Sequence, residues 1–237
     1  MKINKNRWLF AQDYEKEWWS KRVEFIDFDF YKNYAADLLE FGEGYIKITK
    51  DTTILEIGSG AGGTLTFLTD SENRYAIDPL EYYYSTVIKF IDQRDKSVKY
   101  STEKGENLPF PDKMFDLIIM DNVLDHCDNP LEVMNEIDRV IKKDGLIYFR
   151  QNTYHLWGKI VRYLMEIVTI DKGHPHTFSK NDLKKLFITS NFMIIKNKRL
   201  GYYFTWKKEL FSKATKEKLK AILFVTRDRI TYLLKKR

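Results

Sequence analysis

The sequence feature that most constrains the fold is a short apolar run that leads directly into a cluster of glycines. Residues 54–57 are apolar except for Glu56, as in a buried strand, and glycines then occupy positions 58, 60, 62 and 63. A strand that runs into such a turn is typical of a parallel α/β sheet. Glycine accepts backbone conformations that other residues avoid, and it lets a ligand approach the main chain closely. The pattern therefore predicts a turn that binds a nucleotide-like ligand at the end of a parallel strand.

The rest of the chain alternates short β-branched or aliphatic runs with helical stretches, which favours a parallel α/β sheet. The predicted parallel strands cover residues 52–57, 74–77, 98–101, 115–120 and 145–150, and residues 192–198 and 202–205 are predicted to form a closing antiparallel pair. Helices are predicted at residues 13–22, 30–41, 63–69, 80–92, 131–141, 155–170 and 181–189.

We interpret the 237 residues as one domain, a size that is sufficient for a substantial core. Residues 1–50 are expected to form an N-terminal helical cap, and residues 51–206 a core that contains a helical insertion at 153–172. Residues 207–237 are expected to form a basic helical tail.

Charge is distributed unevenly along the chain. Residues 207–237 contain 11 Lys and Arg against 3 Asp and Glu, a net charge of +8, which leaves −2 for the rest. This distribution argues against a nucleic-acid partner for the body of the protein. A single cysteine, Cys127, excludes an internal disulfide and a multi-cysteine zinc site, and we expect a cytoplasmic location.

The glycine turn fits the G-x-G-x-x-G spacing of dinucleotide sites, a short pattern that also occurs in structural turns. Two carboxylates favour a ligand site. Asp78 ends the second predicted strand, where a carboxylate accepts hydrogen bonds from ribose hydroxyls in several cofactor classes. Glu56 lies beside the turn, where its charge suits a cationic ligand better than a pyrophosphate.

Three stretches, in order, resemble the motifs of class I S-adenosylmethionine-dependent methyltransferases. Residues 56–60 resemble the first motif of this family, and residues 105–119, which contain Leu108-Pro109-Phe110, resemble its stretch that leads into the fourth strand. Residues 136–145 are similar to its helix and turn before the fifth strand. The resemblance covers residues 52–150 and implies a small-molecule methyltransferase with a Rossmann-like sheet. That sheet has seven mostly parallel strands, helices on both faces and an antiparallel last strand.

The resemblance also implies how S-adenosylmethionine, and the product S-adenosylhomocysteine, would bind. The backbone of residues 58–60 would lie along the methionine part, with Glu56 near its amino group and Asp78 at the ribose. Residues 104–106 would flank the adenine. The complete predicted cofactor-binding set is Glu56, Gly58, Ser59, Gly60, Asp78, Pro79, Gly105, Glu106, Asp121 and Asn122.

Methyl transfer from a sulfonium requires alignment, and it requires a base only when the acceptor is a weakly nucleophilic hydroxyl. Histidine can serve as that base near pH 7, so the catalytic candidates are His126, His174 and His176, each with an alternative packing or capping role. The acceptor-binding candidates are Gln151, Asn152 and His155. We expect no metal, because the spacing of the histidines offers no evident third ligand.

The predicted function is O-methylation of a small molecule, with a sugar-containing or surface-glycan intermediate as the first acceptor class. One alternative is an RNA or protein methyltransferase that uses the basic tail. Two others are a nicotinamide-dependent oxidoreductase and a cofactor-binding domain without catalysis. The tail, with apolar residues among its lysines, is expected to pack on the body as a helix, or else to contact an anionic membrane peripherally. The sequence does not specify an oligomeric state.

Overall fold

The sheet that carries the glycine turn is seen in a computed structural model that describes residues 2–167 and 169–237. Those residues form seven strands. The strands are β1 (Thr53–Ile57), β2 (Asn73–Ile77), β3 (Lys99–Ser101), β4 (Phe115–Asp121), β5 (Ile141–Thr153), β6 (Phe192–Arg199) and β7 (Asp228–Lys236).

These strands form one sheet in the order β3-β2-β1-β4-β5-β7-β6. The five strands from β3 to β5 run parallel to their neighbours, whereas β7 is antiparallel to both β5 and β6. The predicted Rossmann-like sheet with an antiparallel last strand is therefore confirmed. Because β1 lies between β2 and β4, the turns that follow these three strands meet at one edge of the sheet.

Helices pack around the sheet. They are α1 (Lys5–Ser20), α2 (Asp29–Gly42), α3 (Glu81–Tyr84), α4 (Ile88–Ile91), α5 (Pro130–Val140), α6 (Leu156–Ile167), α7 (Lys180–Thr189), α8 (Tyr202–Leu210) and α9 (Thr215–Ile222). The helix predicted at 63–69 is a single 3₁₀ turn over Thr64–Phe67, and the helix predicted at 80–92 is divided into α3 and α4. Residue 168, part of the helix predicted at 155–170, lies outside the described residues.

Successive strand residues supply two opposite cores, as a sheet covered on both faces requires. On β1, Ile54 packs with Leu38 of α2, whereas Leu55 packs with Ile137 of α5 and Phe187 of α7. Seven buried aromatic and aliphatic residues from α1, the start of α2, the glycine turn and the segment after β2 form a third cluster: Trp19, Phe28, Tyr31, Ala61, Leu80, Tyr84 and Phe90. This cluster holds the N-terminal helices against the glycine turn.

The C-terminal part of the chain differs from its prediction. Residues 202–205, predicted as a strand, form the first turn of α8, and the strand that pairs with β6 is β7, from the tail predicted as helical. The residues Ile230, Tyr232 and Leu234 alternate with polar or opposite-face residues and are buried on one face of the sheet. This period of two satisfies the core only in an extended chain, so the tertiary position of β7 overrides the helical interpretation.

We find no helix among residues 2–167 and 169–237 with the length and hydropathy of a membrane-spanning segment. Ser179 caps the start of α7. The Ser179 hydroxyl accepts a hydrogen bond from the Asp182 main-chain N–H, and the Asp182 carboxylate accepts one from the Ser179 N–H.

Candidate functional site

The glycine turn after β1 has the backbone conformation that its sequence predicts. Gly58, Gly60 and Gly63 have φ angles of +72°, +60° and +74°. A Cβ on Gly58 would lie 2.5 Å from the Val123 methyl carbons, and one on Gly63 would lie 2.6 Å from the Glu56 carboxylate. The glycines are therefore required both for the left-handed turn and for the close approach of protein groups around it.

Glu56 is buried at the end of β1, and both of its oxygens bind the main chain of the turn that follows. They accept hydrogen bonds from the N–H groups of Thr64 (2.9 Å) and Leu65 (3.0 Å). Burial raises the pKa of Glu56 to about 7, against the opposing effect of these hydrogen bonds. This carboxylate thus organises the glycine turn and also lines the cavity, where a cationic ligand group would favour its ionised form.

Asp78, at the end of β2, makes a similar pair of contacts. Its oxygens accept hydrogen bonds from the main-chain N–H of Gly60 (2.9 Å) and of Leu80 (2.8 Å). Burial raises the pKa of Asp78 to about 6, although these hydrogen bonds lower it. The side chain therefore connects the turns that follow β1 and β2, and it holds the cavity wall in place.

The ends of β1, β2 and β4 surround a cavity of about 930 Å³. The structure brings all ten predicted cofactor-binding residues to its lining: Glu56, Gly58, Ser59, Gly60, Asp78, Pro79, Gly105, Glu106, Asp121 and Asn122. Glu106 also binds the main chain just before α5, since one of its oxygens accepts hydrogen bonds from the N–H groups of Asp128 (2.7 Å) and Asn129 (3.1 Å). Direct cofactor contact by these residues stays a prediction.

The N-terminal helices form the opposite wall of the cavity. Trp19 and Tyr31 are buried, and the Tyr31 hydroxyl donates a hydrogen bond to the main-chain carbonyl of Ser59 (2.9 Å). The half-buried aromatic residues Trp18 and Tyr34 also line the cavity. The predicted helical cap therefore covers the site. Its aromatic content was the signal available in the sequence.

Asp121 and Asn122, at the end of β4, are both engaged with β5. Both carboxylate oxygens of Asp121 accept hydrogen bonds from the buried Arg150 guanidinium, which also lies over the Tyr34 ring. Asn122 has a φ of +57°, and its side-chain oxygen accepts a hydrogen bond from the Asn152 main-chain N–H (3.1 Å). Sequence reasoning did not assign a site role to Arg150, which forms the ion pair that positions Asp121.

Three side chains that can bind a proton or a metal converge farther along the same cavity. Asp125 and His126 lie on a 3₁₀ turn after β4, and His174 comes from the loop before α7. The imidazole rings of His126 and His174 have centroids 4.5 Å apart. Burial alone would lower the pKa of His174, but the hydrogen bond with Asp171 and the charges of Asp125 and Asp171 together raise it.

The other predicted residues occupy different positions. His176 is buried, its Nε2 donates a hydrogen bond to the Cys127 carbonyl (3.0 Å), and burial lowers its pKa. Among the described residues, Asn152 lines the cavity but His176, Gln151 and His155 do not. Gln151 is buried and does not reach the cavity. His155 lies in a second cavity of about 820 Å³ between α6, α8 and the end of β5.

Sequence reasoning missed two groups of lining residues. Arg162 of α6 forms an ion pair with Asp171 (2.7 Å), and both residues line the cavity beside His174. The C-terminal segment adds further residues: Lys216, Glu217, Leu219, Lys220, Leu223, Val225 and Arg227. No local motif marks these positions, because they reach the cavity only through the packing of α6, α8 and α9.

The geometry of this site agrees with the comparison to protein families. Residues 55–149 match the family described as "Methyltransferase domain". Over this range the chain is similar to methyltransferase domains. The matched range runs from β1 to β5 and contains the glycine turn, Asp78, Asp121 and Asp125. This match agrees with the predicted class I S-adenosylmethionine-dependent methyltransferase family over the range that carries the predicted motifs.

Individual relatives of the methyltransferase domain are distant. A ubiquinone biosynthesis O-methyltransferase from Rickettsia bellii is 28% identical over 146 residues, which cover 61% of this chain and 60% of that protein. The YcgJ protein from Bacillus subtilis has a TM-score of 0.62 at 16% identity, and the match covers 86% of this chain and 98% of that one.

A phosphoethanolamine N-methyltransferase 2 from Haemonchus contortus, solved with S-adenosylhomocysteine, has a TM-score of 0.64 at 15% identity. The match covers 86% of this chain and 52% of that one. At these identities the two solved structures establish the fold.

Proposed function

We propose that this protein transfers a methyl group from S-adenosylmethionine to a small-molecule acceptor. The observation that carries the proposal is one continuous cavity, with the Glu56 and Asp78 carboxylates at the turns after β1 and β2 and an Asp125, His126 and His174 cluster beyond β4. The first part suits a cofactor with a ribose and a cationic methionine, and the second holds the groups able to orient or deprotonate an acceptor.

The size of the cavity supports a small acceptor. Its volume of about 930 Å³ lies near the upper end of the range for small-ligand sites, which is enough for a cofactor and a second small ligand. Helices α1 and α2 form one wall and the 216–227 segment contributes to another. An RNA or protein acceptor would need to present one extended group between these walls.

Within this proposal, we infer an oxygen acceptor on a sugar-containing molecule as the first class to test, in the cytoplasm. Half-buried aromatic faces at Trp18 and Tyr34 lie on the same lining as the polar side chains of Gln12 and Asn152. Aromatic faces and hydrogen-bonding groups together suit a hydroxylated ring. A hydroxyl acceptor must lose its proton, whereas a neutral amine is nucleophilic as it stands, and the cluster of Asp125, His126 and His174 can promote that loss.

Isothermal titration calorimetry with S-adenosylhomocysteine, and with NADH as the competing ligand, tests the cofactor. We expect micromolar binding of S-adenosylhomocysteine and no binding of NADH; the reverse result would favour a nicotinamide-dependent oxidoreductase. Turnover is then measured as S-adenosylhomocysteine release with panels of sugar-containing, phenolic, amine, RNA and peptide acceptors. Cofactor binding without turnover on any panel would favour a non-catalytic domain.

We propose in addition that this protein contacts anionic membranes peripherally through α6, α8 and α9. These helices and the residues directly after α8 and α9 carry a set of exposed large apolar side chains: Leu156, Trp157, Ile160, Tyr163, Leu164, Ile167, Tyr203, Phe204, Phe211, Leu219, Ile222, Leu223 and Phe224. The Trp157 indole donates a hydrogen bond to the Leu223 carbonyl (3.0 Å), so α6 and the end of α9 form one surface.

Five exposed lysines accompany that apolar surface on α8, α9 and their connection: Lys207, Lys208, Lys213, Lys216 and Lys218. Apolar side chains that are bordered by lysines suit the interface of an anionic bilayer. Sedimentation with phosphatidylglycerol vesicles should capture the wild type and the control Ile88→Glu, whose side chain is exposed elsewhere. It should not capture Tyr163→Glu/Leu164→Glu. Equal capture of both variants, or none of the wild type, would contradict this contact.

A further inference from the structure

The cluster of Asp125, His126 and His174 has the composition of a metal site. Each residue offers one ligand atom, and the three atoms lie within 4.8 Å of one another. Two atoms that bind one ion at about 2.1 Å lie at most about 4.2 Å apart. Side-chain rotations that move each ligand atom by less than about 2 Å would therefore bring the three atoms to coordination distance of one ion. The structure thus supplies Asp125 as the third ligand that was not evident from the spacing of the histidines.

Neighbouring groups already orient two of the three side chains. The Nδ1 of His174 is 2.9 Å from the Asp171 carboxylate, and this hydrogen bond directs the Nε2 of His174 away from Asp171. The Gln151 amide donates a hydrogen bond to the Oδ1 of Asp125 (2.8 Å). In metal sites, a histidine that binds the ion through one ring nitrogen usually donates the other ring N–H to a carboxylate. A carboxylate that binds the ion usually accepts a hydrogen bond from a neighbouring group.

The main chain also holds the two segments of the cluster together. The N–H of His176 donates a hydrogen bond to the Asp125 carbonyl (3.2 Å), and its side chain donates one to the Cys127 carbonyl (3.0 Å). This double connection fixes the loop that carries His174 beside the turn that carries Asp125 and His126. His176 therefore acts on the cluster as a positioning residue.

The local charge favours a cation. Asp125 and Asp171 contribute two negative charges, and the Arg162 guanidinium, 2.7 Å from Asp171, contributes one positive charge. The two carboxylates thus outnumber the one guanidinium among these groups. Two imidazoles and one carboxylate suit divalent zinc, iron, cobalt or manganese better than magnesium or calcium, which prefer oxygen ligands.

We propose that Asp125, His126 and His174 bind a divalent transition-metal ion at the acceptor end of the cavity. Three protein ligands leave coordination positions open, and all three residues line the cavity. The metal binding stands independently of the proposed function.

The role of the ion rests on the proposed function. A hydroxyl of the acceptor that coordinates the ion releases its proton to solvent more readily, because the positive charge stabilises the oxyanion. The oxygen then forms a bond to the methyl carbon as the sulfur–carbon bond breaks, and the sulfonium leaves as the neutral thioether S-adenosylhomocysteine. The acceptor class is therefore one with a coordinating hydroxyl.

Titration of chelator-treated protein with Co²⁺, followed by visible absorption and calorimetry, tests the site. We expect one equivalent to bind the wild type, and at least 100-fold weaker binding to His174→Ala, His126→Ala and Asp125→Asn. Asp171→Asn, which removes only the outer partner, should weaken binding by about 10- to 100-fold. The matched control is His155→Ala, because His155 lies in the second cavity.

Several results would overturn the site: no stoichiometric Co²⁺ binding to the wild type, affinity unchanged in the ligand variants, or an equal loss in His155→Ala. Three separate ligand variants are used, and circular dichroism selects those that fold. S-adenosylhomocysteine binding by the same samples separates the two proposals. Cofactor binding without Co²⁺ binding refutes the metal site alone, whereas Co²⁺ binding without cofactor binding refutes the methyltransferase proposal alone.

Discussion

Cofactor binding should release a proton from Glu56. This side chain is buried, and burial raises its pKa to about 7, so a substantial fraction is protonated in the unliganded protein at neutral pH. If the methionine ammonium of the ligand lies near this carboxylate, the positive charge favours ionised Glu56 and the proton leaves on binding. The perturbations are a change of pH from 5.5 to 7.0 and the substitution Glu56→Gln.

The expected size follows from the fraction of protein that has ionised Glu56. With a pKa of about 7, that fraction is about one in 30 at pH 5.5 and about one in two at pH 7.0. Affinity for S-adenosylhomocysteine should therefore rise about 15-fold across this interval from Glu56 alone. Asp78, with a pKa of about 6, contributes about a further fourfold when it accepts from the ribose. At pH 6.0 binding should release about 0.9 proton from Glu56.

Calorimetry in buffers with different ionisation enthalpies measures both the affinity and the number of protons released. The Glu56→Gln protein should retain only the roughly fourfold dependence of Asp78. Its absolute affinity is also expected to fall, since one of the two hydrogen bonds to the Thr64 and Leu65 N–H groups is lost. The pH dependence is therefore the discriminating quantity. A wild-type affinity that is flat between pH 5.5 and 7.0, or proton release from Glu56→Gln as large as that from the wild type, would refute this account.

Three other predictions follow from the same turn. Asp78→Asn should weaken S-adenosylhomocysteine binding more than tenfold, because the substitution removes the charged acceptor for both the Gly60 N–H and the ribose. The control Asp51→Asn, at an exposed position, should bind S-adenosylhomocysteine as the wild type does in the same titration. Gly58→Ala should lower the free energy of unfolding, measured in urea, by about 2–5 kcal/mol, because of its positive φ and the close contact of the new Cβ with Val123. The control Gly44→Ala also has a positive φ but open space around the Cβ, so it should lower the free energy of unfolding by only about 1–2 kcal/mol. Equal losses in the two variants would contradict the packing argument. Because burial raises the pKa of Glu56 above its unfolded value of 4.5, its contribution to stability is complete below pH 4.5 and is lost as the pH rises through about 7. The thermal unfolding temperature of the unliganded protein, relative to that of Glu56→Gln, should therefore fall between pH 5 and 8, and a rise would reverse the sign assigned to Glu56.

The parallel half of the fold and the cofactor side of the cavity were predictable because their signals are local. The apolar run at 54–57, the glycines that follow and Asp78 at the end of the next strand each combine a strand with its own turn. Parallel strands place such turns at one edge of the sheet. The ten residues that the family resemblance implied come from separate motifs, and they meet there in one lining. What these local patterns did not reveal is that Glu56 and Asp78 also bind the main chain of the turns.

The remaining features depend on contacts between distant parts of the chain. The apolar residues of the tail suit a helix or a strand when considered alone, and only the unfilled position between β5 and β6 selects the strand β7. His126 and His174 are separated by 47 residues, and the hydrogen bonds of His176 to Asp125 and Cys127 bring them together. The sequence by itself determined the glycine turn and the carboxylates at the ends of β1 and β2, because backbone conformation and strand periodicity are properties of neighbouring residues. Tertiary structure alone decided which side chains meet at the acceptor end, because that depends on long-range packing which local patterns do not encode.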